Sequence, residues 1–218
     1  MAAACTSKTG IVYVCNPNNP TSTITTHDEI GWLVANLPKN TNLLVDEAYL
    51  HYAISPEAVS AMPYVKEGKN VIVSRTFSKI YAMAGLRVGY GAARPDLTDR
   101  MTPYRNNVIS FVSARAVVAA LDLGPKLVEE RRTKIDRTRG ELCSWLTAKG
   151  FRCIPPHANF VMIETGKDAR EVQSGMLAKG VAIGRPFPAL NTMIRVSIGT
   201  DAEMAKFRHI LTEVAAEG

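Results

Sequence analysis

The sequence is poor in the residues that build disulfide scaffolds and metal sites. Its 218 residues include four cysteines (Cys5, Cys15, Cys143 and Cys153) and four histidines, which form no C-x-x-C pair, H-E-x-x-H motif or mixed cluster. A disulfide-stapled fold and a zinc site are therefore unsupported. We expect the cysteines to be small, partly buried side chains in a reducing compartment, and we expect no metal.

Long apolar runs are also missing. The most hydrophobic window, residues 108–123, is interrupted by Arg115 and is too short to cross a bilayer. The first eight residues lack the charged start and the apolar core of a signal peptide. These features predict a cytoplasmic protein with no membrane partner.

The positive charge has no nucleic-acid motif to accompany it. The chain carries a formal charge of +6, and its basic residues are densest over residues 126–139, where acidic residues are interleaved with them. Glu130 and Lys134, like Asp136 and Arg139, have the spacing of ion pairs on a solvated helix face. We expect no nucleic-acid partner, because an anionic substrate or cofactor accounts for a mild positive excess.

What the chain does contain is the composition and patterning of an α/β protein. Hydrophobic residues make up 46% and charged residues 21%, a soluble profile that argues against disorder. Apolar runs without alternation at residues 11–15, 42–46, 70–74 and 86–93 predict buried strands separated by helix and loops. Such runs are typical of a mostly parallel sheet covered by helices on both faces, with ligands at the carboxyl ends of the strands.

A second, smaller domain is expected after the first. The pattern predicts helices over 110–123 and from Pro125 to about 149, then strands at 151–154, 160–164, 181–184 and 193–198. Capping boxes start helices after Thr26 and Thr200, and a further helix is expected over 169–179. We therefore predict a large domain over 1–124 and, over 125–218, a long connecting helix with a small α+β domain.

One lysine stands out because of its neighbours. Lys79 follows Thr76 and Ser78 in a loop after a predicted strand, and Arg87 comes eight residues later. A lysine amine can form a Schiff base, while two hydroxyls and a guanidinium can hold a phosphate beside it. This is the arrangement that a pyridoxal 5'-phosphate (PLP) Schiff base requires.

Several blocks together resemble a known family. N-P-N-N-P-T at 16–21, D-E-A-Y at 46–49, S-R-T-F-S-K at 74–79, G-L-R-V-G-Y-G at 85–91 and M-I-R-V-S-I-G-T at 193–200 come in that order. In this they resemble the PLP-dependent aminotransferases of classes I and II (fold type I), and most closely the histidinol-phosphate aminotransferase-like branch. The resemblance runs from about Gly10 to the carboxyl terminus. It implies a PLP-transferase large domain, here partial, with the small domain after it.

The resemblance assigns cofactor roles to particular residues. Lys79 is implied as the Schiff-base lysine and proton shuttle, and Asp46 as the carboxylate that keeps the pyridine nitrogen protonated. Asn19 and Tyr49 are implied as donors to the cofactor's phenolic oxygen. Alternatives from the residues alone stay open: a surface lysine, a helix-capping acid and a buried tyrosine.

The phosphate residues also keep an alternative. Thr76, Ser78 and Arg87 are candidates for phosphate binding, but the two hydroxyls could instead stabilise a turn. Glu47, next to Asp46, is expected to be structural.

Substrate residues are implied in the later blocks. Arg195 resembles the arginine that grips a substrate α-carboxylate, and its cost within an apolar strand favours a ligand. Asn159 and Arg185 look like positions that line the substrate pocket. The implied reaction is amino transfer from an amino acid to a 2-oxo acid in amino-acid biosynthesis, by a homodimer.

Three other interpretations stay open. The same scaffold serves PLP decarboxylases of phosphorylated amino acids, effector-binding domains of transcription regulators, and inert remnants. The chain departs from the family at Ser22, where glycine is usual, and we expect only a mild change in the turn there. Because the sequence given starts just before the strand that leads into Asn16, we expect it to be a fragment of a longer product or a truncated paralogue, without the amino-terminal portion that the resemblance implies for further cofactor contacts.

Overall fold

The structure is a computed structural model that describes residues 1–105 and 108–216. Contacts divide the chain into two compact units. The first contains Met1–Asn18 and Ile24–Arg132, and the second contains Asn19–Thr23 and the residues from Thr133 onwards. The domain boundary predicted at residues 124 and 125 stays a prediction.

The first unit is built on a four-stranded sheet. Its strands are β1 (Ile11–Cys15), β2 (Asn42–Asp46), β3 (Val71–Thr76) and β4 (Gly89–Ala92), in the spatial order β1-β2-β3-β4. The pairs β1–β2 and β2–β3 are parallel, whereas β4 runs antiparallel to β3. The predicted class, a mostly parallel α/β sheet, is confirmed.

Four short or medium α-helices and the start of a long one accompany this sheet in the described residues. They are α1 (His27–Asn36), α2 (Met62–Lys66), α3 (Pro95–Met101), α4 (Phe111–Asp122) and the beginning of α5 (Pro125–Ala148), with a 3-10 helix at Leu50–Tyr52. The predicted capping box begins α1, because Glu29 N–H donates to the Thr26 hydroxyl and Thr26 N–H donates to the Glu29 carboxylate. Within the described part of the chain, no helix has both the length and the apolar character to span a membrane.

The core of the first unit lies on one face of the sheet. Val14, Val45 and Val73 are register partners on neighbouring strands, and they pack with Ile30 and Leu33 of α1. The prediction of an apolar run without alternation is wrong for β1. The side chains of β1 alternate, so that Ile11 and Tyr13 are 57% and 51% exposed while Val12 and Val14 are buried.

The second unit is a small α+β structure. Its antiparallel sheet has the order β5 (Arg152–Cys153), β6 (Phe160–Glu164) and β7 (Met193–Ser197). It packs against α6 (Ala169–Ala178), α7 (Asp201–Ala216) and the later turns of α5, whose Leu142 and Leu146 are fully buried. The expected capping box at Thr200 and Glu203 begins α7. The predicted α+β character of this region is confirmed.

One predicted strand and one predicted surface residue are wrong. Residues 181–184 form no strand. Gly184 N–H donates to the Arg195 carbonyl of β7, but Val181 N–H donates to Met176 in α6 and the Gly184 carbonyl accepts from the Gln173 side chain. Arg139 is buried instead of lying on a solvated helix face. Its guanidinium donates to the Ala158 carbonyl and pairs with Asp136.

Candidate functional site

In the first unit, three parallel strands have their carboxyl ends at the same edge of the sheet, and Asp46 is the last residue of the middle strand. Cys15 and Asp46 end β1 and β2 and are register partners, and Asp46 is also paired with Ser74, two residues before the end of β3. The Asp46 carboxylate is held at both oxygens, since Oδ1 accepts from Ala48 N–H at 3.1 Å and Oδ2 from the Tyr13 hydroxyl at 3.0 Å. A charged group fixed by two donors is oriented for a further partner.

Tyr13 was not among the residues predicted for the site. Partial burial and the hydrogen bond to Asp46 raise the pKa of its phenol, so that the hydroxyl keeps its proton and donates it to the carboxylate. The signal was available in the sequence, because alternation in β1 places Tyr13 on the face opposite the core.

Lys79 lies three residues beyond the end of β3 and is half-buried. Its ammonium group is 5.3 Å from the centroid of the Tyr49 ring, in a cation–π contact. Tyr49 itself is only 8% exposed, and it follows Asp46 by three residues. The structure thus brings Lys79 and Tyr49 together after the ends of β3 and β2.

The proposed phosphate residues surround the turn that carries Lys79. The Thr76 hydroxyl accepts from Ser78 N–H at 3.0 Å, which is the turn bond that the sequence left as an alternative. Arg87 is exposed, has the left-handed φ of 56°, and donates from Nη1 to the Ala84 carbonyl at 2.9 Å. The Thr76 hydroxyl also donates to the Val88 carbonyl at 3.4 Å, so it would have to exchange this long bond for one to a phosphate, whereas the Arg87 guanidinium has further N–H donors.

Glu47, the other acid of the D-E pair, is committed to internal contacts. Its side chain is fully buried, accepts from Ser60 and Ala61, and pairs with Arg75 at 2.8 Å. The side chains of Asp46 and Glu47 lie on opposite sides of the extended chain. Glu47 therefore has a structural role, while Asp46 remains the candidate for the site.

In the second unit, Arg195 on β7 meets a residue from the first block of the sequence. Its Nη1 donates to Asn19 Oδ1 at 2.6 Å. The guanidinium carbon also lies 5.3 Å from the ring centroid of Phe160 and 5.4 Å from that of Phe187. Stacking on two rings fixes the plane of the guanidinium.

The described part of the second unit contains buried polar side-chain atoms without hydrogen-bond partners. Among the described residues, three buried side-chain atoms have no hydrogen-bond partner: Asn159 Oδ1, Arg195 Nε and Arg208 Nε. Buried polar atoms are rarely left unsatisfied, because the desolvation penalty is then uncompensated. The unsatisfied Nε donor of Arg195 is what a carboxylate ligand would satisfy.

Arg185 and Gly184 lie in the segment that follows α6. The exposed Arg185 guanidinium is 4.7 Å from the Phe187 ring centroid, so Arg185 and Arg195 both contact that ring. Gly184 packs so closely on Arg195 that a Cβ there would lie 2.8 Å from the Arg195 carbonyl oxygen and 3.2 Å from Nε.

The candidate residues fall into both units. The first unit contains Asp46, Tyr49, Thr76, Ser78, Lys79 and Arg87, and the second contains Asn19, Asn159, Arg185 and Arg195. Within them, the structure joins Lys79 to Tyr49 and Asn19 to Arg195.

The comparisons with known proteins all indicate the same family. The chain matches the family described as aminotransferase class I and II over residues 1–211. It is 38% identical to a histidinol-phosphate aminotransferase of Moorella thermoacetica, covering 99% of this chain and 56% of that protein. It is 35% identical to an aromatic amino acid aminotransferase of Cutibacterium acnes, covering 93% and 57% of the two chains.

A solved structure gives the same result for the fold. The crystal structure of histidinol-phosphate aminotransferase from Sinorhizobium meliloti in complex with pyridoxal-5'-phosphate matches with a TM-score of 0.86 at 30% identity. The match covers 95% of this chain and 57% of that one. The chain thus spans little more than half the length of these relatives. Because the family match covers nearly all of the sequence, the chain belongs to the class I and II aminotransferase family.

Proposed function

We propose that this chain supports PLP-dependent transfer of an amino group between an amino acid and a 2-oxo acid. The observation that carries the proposal is the half-buried Lys79 amine, 5.3 Å from the Tyr49 ring centroid, in a chain of this family. The similar Sinorhizobium meliloti enzyme was crystallised with PLP.

The residues of the first unit fit this cofactor. Asp46 offers a carboxylate that Tyr13 and Ala48 hold in place, and such a group keeps a pyridine nitrogen protonated. Lys79 offers the amine for a covalent bond to the cofactor aldehyde. Bound there, PLP would act as an electron sink for bond breaking at the substrate Cα.

Lys79 has two tasks in this proposal. Its amine would hold the cofactor aldehyde, with loss of water, and the same amine, when free, would move a proton at the substrate Cα. General acid–base transfer of this kind needs the amine within hydrogen-bond reach of the proton at that carbon. Lys79 lies on a short turn after β3, so the movement of its amine is limited to the reach of its own side chain.

Phosphate binding is assigned to Thr76, Ser78 and Arg87. The guanidinium of Arg87 supplies charge-assisted hydrogen bonds, and the two hydroxyls add neutral ones. Asn19 and Tyr49 are proposed to donate to the phenolic oxygen of the cofactor. Asn19 Oδ1 accepts from Arg195, an arrangement that orients the Asn19 amide nitrogen away from that guanidinium.

The substrate carboxylate is assigned to Arg195. Its unsatisfied Nε and its Nη groups can form a bidentate fork with a planar carboxylate. Asn159 and Arg185 are proposed to line the same pocket, and the second guanidinium favours substrates with an anionic side chain. The names of the relatives make a histidinol-phosphate-like substrate a specific candidate.

We further propose a homodimer acting in amino-acid biosynthesis. Exposed apolar side chains on α4, including Phe111 at 80% and Val112 at 71%, support a surface that another chain covers. Light scattering should give twice the chain mass. The cytoplasmic location stays a prediction from the sequence, as does the absence of nucleic-acid and membrane partners.

A PLP titration followed by an amino-transfer assay tests the proposal. The wild-type chain should develop the absorbance of protein-bound PLP, and Lys79→Ala should lose it. The matched control Lys69→Ala removes an exposed lysine and should behave as wild type. The bound form should convert an amino acid to its 2-oxo acid. Release of carbon dioxide instead would favour a decarboxylase, and equal PLP binding by Lys79→Ala would contradict the role of Lys79.

A further inference from the structure

Ser22 occupies a backbone conformation that usually belongs to glycine. Its φ is 64°, in the left-handed region, and the residue is fully buried. A side chain in this region meets steric resistance from its own backbone, so a serine persists there only when other contacts favour it. A mild change of turn, expected from the sequence, does not account for complete burial.

The hydroxyl of Ser22 makes those contacts. Its Oγ accepts from Ala158 N–H at 2.7 Å and from His157 N–H at 3.0 Å. The Ser22 carbonyl also accepts from His157 N–H at 2.8 Å. One residue therefore satisfies two consecutive backbone amides from a segment that lies more than 130 positions away in the sequence.

The segment that Ser22 holds leads directly into the proposed substrate pocket. Asn159 follows Ala158 and carries the unsatisfied Oδ1. On the other side, the Ala158 carbonyl accepts from the buried Arg139 at 2.8 Å, and the Asn159 carbonyl accepts from Ile198 N–H. Three contacts thus fix the backbone before β6, and the contact from the Ser22 hydroxyl is the one that comes from another loop.

Ser22 is also three residues from Asn19, the partner of Arg195. The segment 19–23 groups with the second unit, where Asn19 contacts β7 and Ser22 contacts the residues before β6. The short segment therefore bonds to the middle of β7 through Asn19 and to the residues before β6 through Ser22. Its two contacts flank the residues proposed to bind the carboxylate.

We propose that Ser22 is a positioning residue for the carboxylate site. Its hydroxyl fixes the segment that carries Asn159 and, through the same short loop, the Asn19 amide against Arg195. The inference rests on the proposed carboxylate role of Arg195. A glycine would adopt the same φ without steric resistance but would leave both amides without the hydroxyl acceptor.

Three variants of the full chain separate the hydroxyl from the backbone conformation. Ser22→Gly removes the hydroxyl and suits the backbone, whereas Ser22→Ala removes the hydroxyl and keeps a Cβ at positive φ. Thr23→Ala is the matched control, because it removes an exposed hydroxyl of the same loop that contacts Thr21. Thermal unfolding identifies any variant that fails to fold, and Ser22→Gly is the one expected to keep the fold.

The first measurement is amide hydrogen exchange at Ala158, read by NMR. Exchange should become about tenfold faster in Ser22→Gly, since one hydrogen bond protecting the amide is lost. The second is a titration with 2-oxoglutarate, followed at the Arg195 Nε–H signal. The dissociation constant should rise about fivefold in Ser22→Gly and stay unchanged in Thr23→Ala.

The outcomes distinguish this inference from the proposed function. If 2-oxoglutarate binds Ser22→Gly as tightly as wild type, the positioning role is overturned and the carboxylate role of Arg195 stands. Unchanged exchange at Ala158 would overturn the hydrogen bond itself. If the Arg195 signal of the wild-type chain does not respond to 2-oxoglutarate, the carboxylate role fails, and faster exchange in Ser22→Gly then leaves Ser22 a purely structural residue.

Discussion

Substitution of Glu47 tests whether this buried carboxylate has a structural role, in contrast to the neighbouring Asp46. The Glu47→Ala variant removes a fully buried carboxylate that accepts from Ala61 N–H at 2.6 Å and pairs with Arg75 at 2.8 Å. The variant leaves the Ala61 amide without its acceptor and the Arg75 guanidinium without its carboxylate partner. Breaking a buried ion pair on one side costs about 3–5 kcal/mol.

The lower end of that range applies here. The Arg75 side chain is 22% exposed, so water can reach part of the guanidinium after the substitution. We expect Glu47→Ala to lower the free energy of unfolding by about 3 kcal/mol in urea denaturation. Glu47→Gln keeps an acceptor for Ala61 and should lose about 1–2 kcal/mol.

An exposed ion pair supplies the control for this prediction. Lys126 and Glu130 are 83% and 64% exposed, so Glu130→Ala should leave the urea midpoint unchanged. A loss below about 1 kcal/mol in Glu47→Ala would refute the structural role given to the buried carboxylate.

Three further outcomes are expected. Gly184→Ala should weaken 2-oxoglutarate binding roughly tenfold, because its Cβ would lie 3.2 Å from Arg195 Nε; unchanged affinity in the same titration would contradict this. Tyr13→Phe removes one of two donors to Asp46 and should weaken PLP binding about threefold in an absorbance titration; equal affinity would show that the hydroxyl is dispensable. Burial, with a neighbouring thiol, raises the pKa of Cys143 to about 12, so iodoacetamide at pH 9 should label it far more slowly in the folded chain than in urea. Because the folded pKa is the higher one, this thiol's contribution to stability is complete below pH 9 and is lost as pH rises towards 12.

Local signals in the sequence were enough for most elements. Strands β1 and β2 and the start of α5 at Pro125 have the predicted bounds, because apolar runs, capping boxes and proline act within a few residues. The strand predicted at 181–184 failed because competing partners, the Gln173 side chain and the end of α6, lie outside that local window.

The candidate site residues also differ in whether a local pattern in the sequence indicates them. The roles of Lys79, Asp46 and Arg195 stay predictions, each made from a block with a recognisable spacing. Tyr13 could be found from the alternation of β1, whereas the contacts of Ser22 depend on partners in a distant segment. A hydroxyl that bonds two amides more than 130 residues later leaves no periodic pattern in the sequence.

Peptide mapping after borohydride reduction tests the central claim most directly. The chain is mixed with PLP, reduced, digested and analysed by mass spectrometry for the lysine that carries the pyridoxyl group. We predict near-stoichiometric label on Lys79, with Lys69 and the other exposed lysines unlabelled at equal PLP. Label spread evenly over exposed lysines, with none enriched at Lys79, would contradict the account.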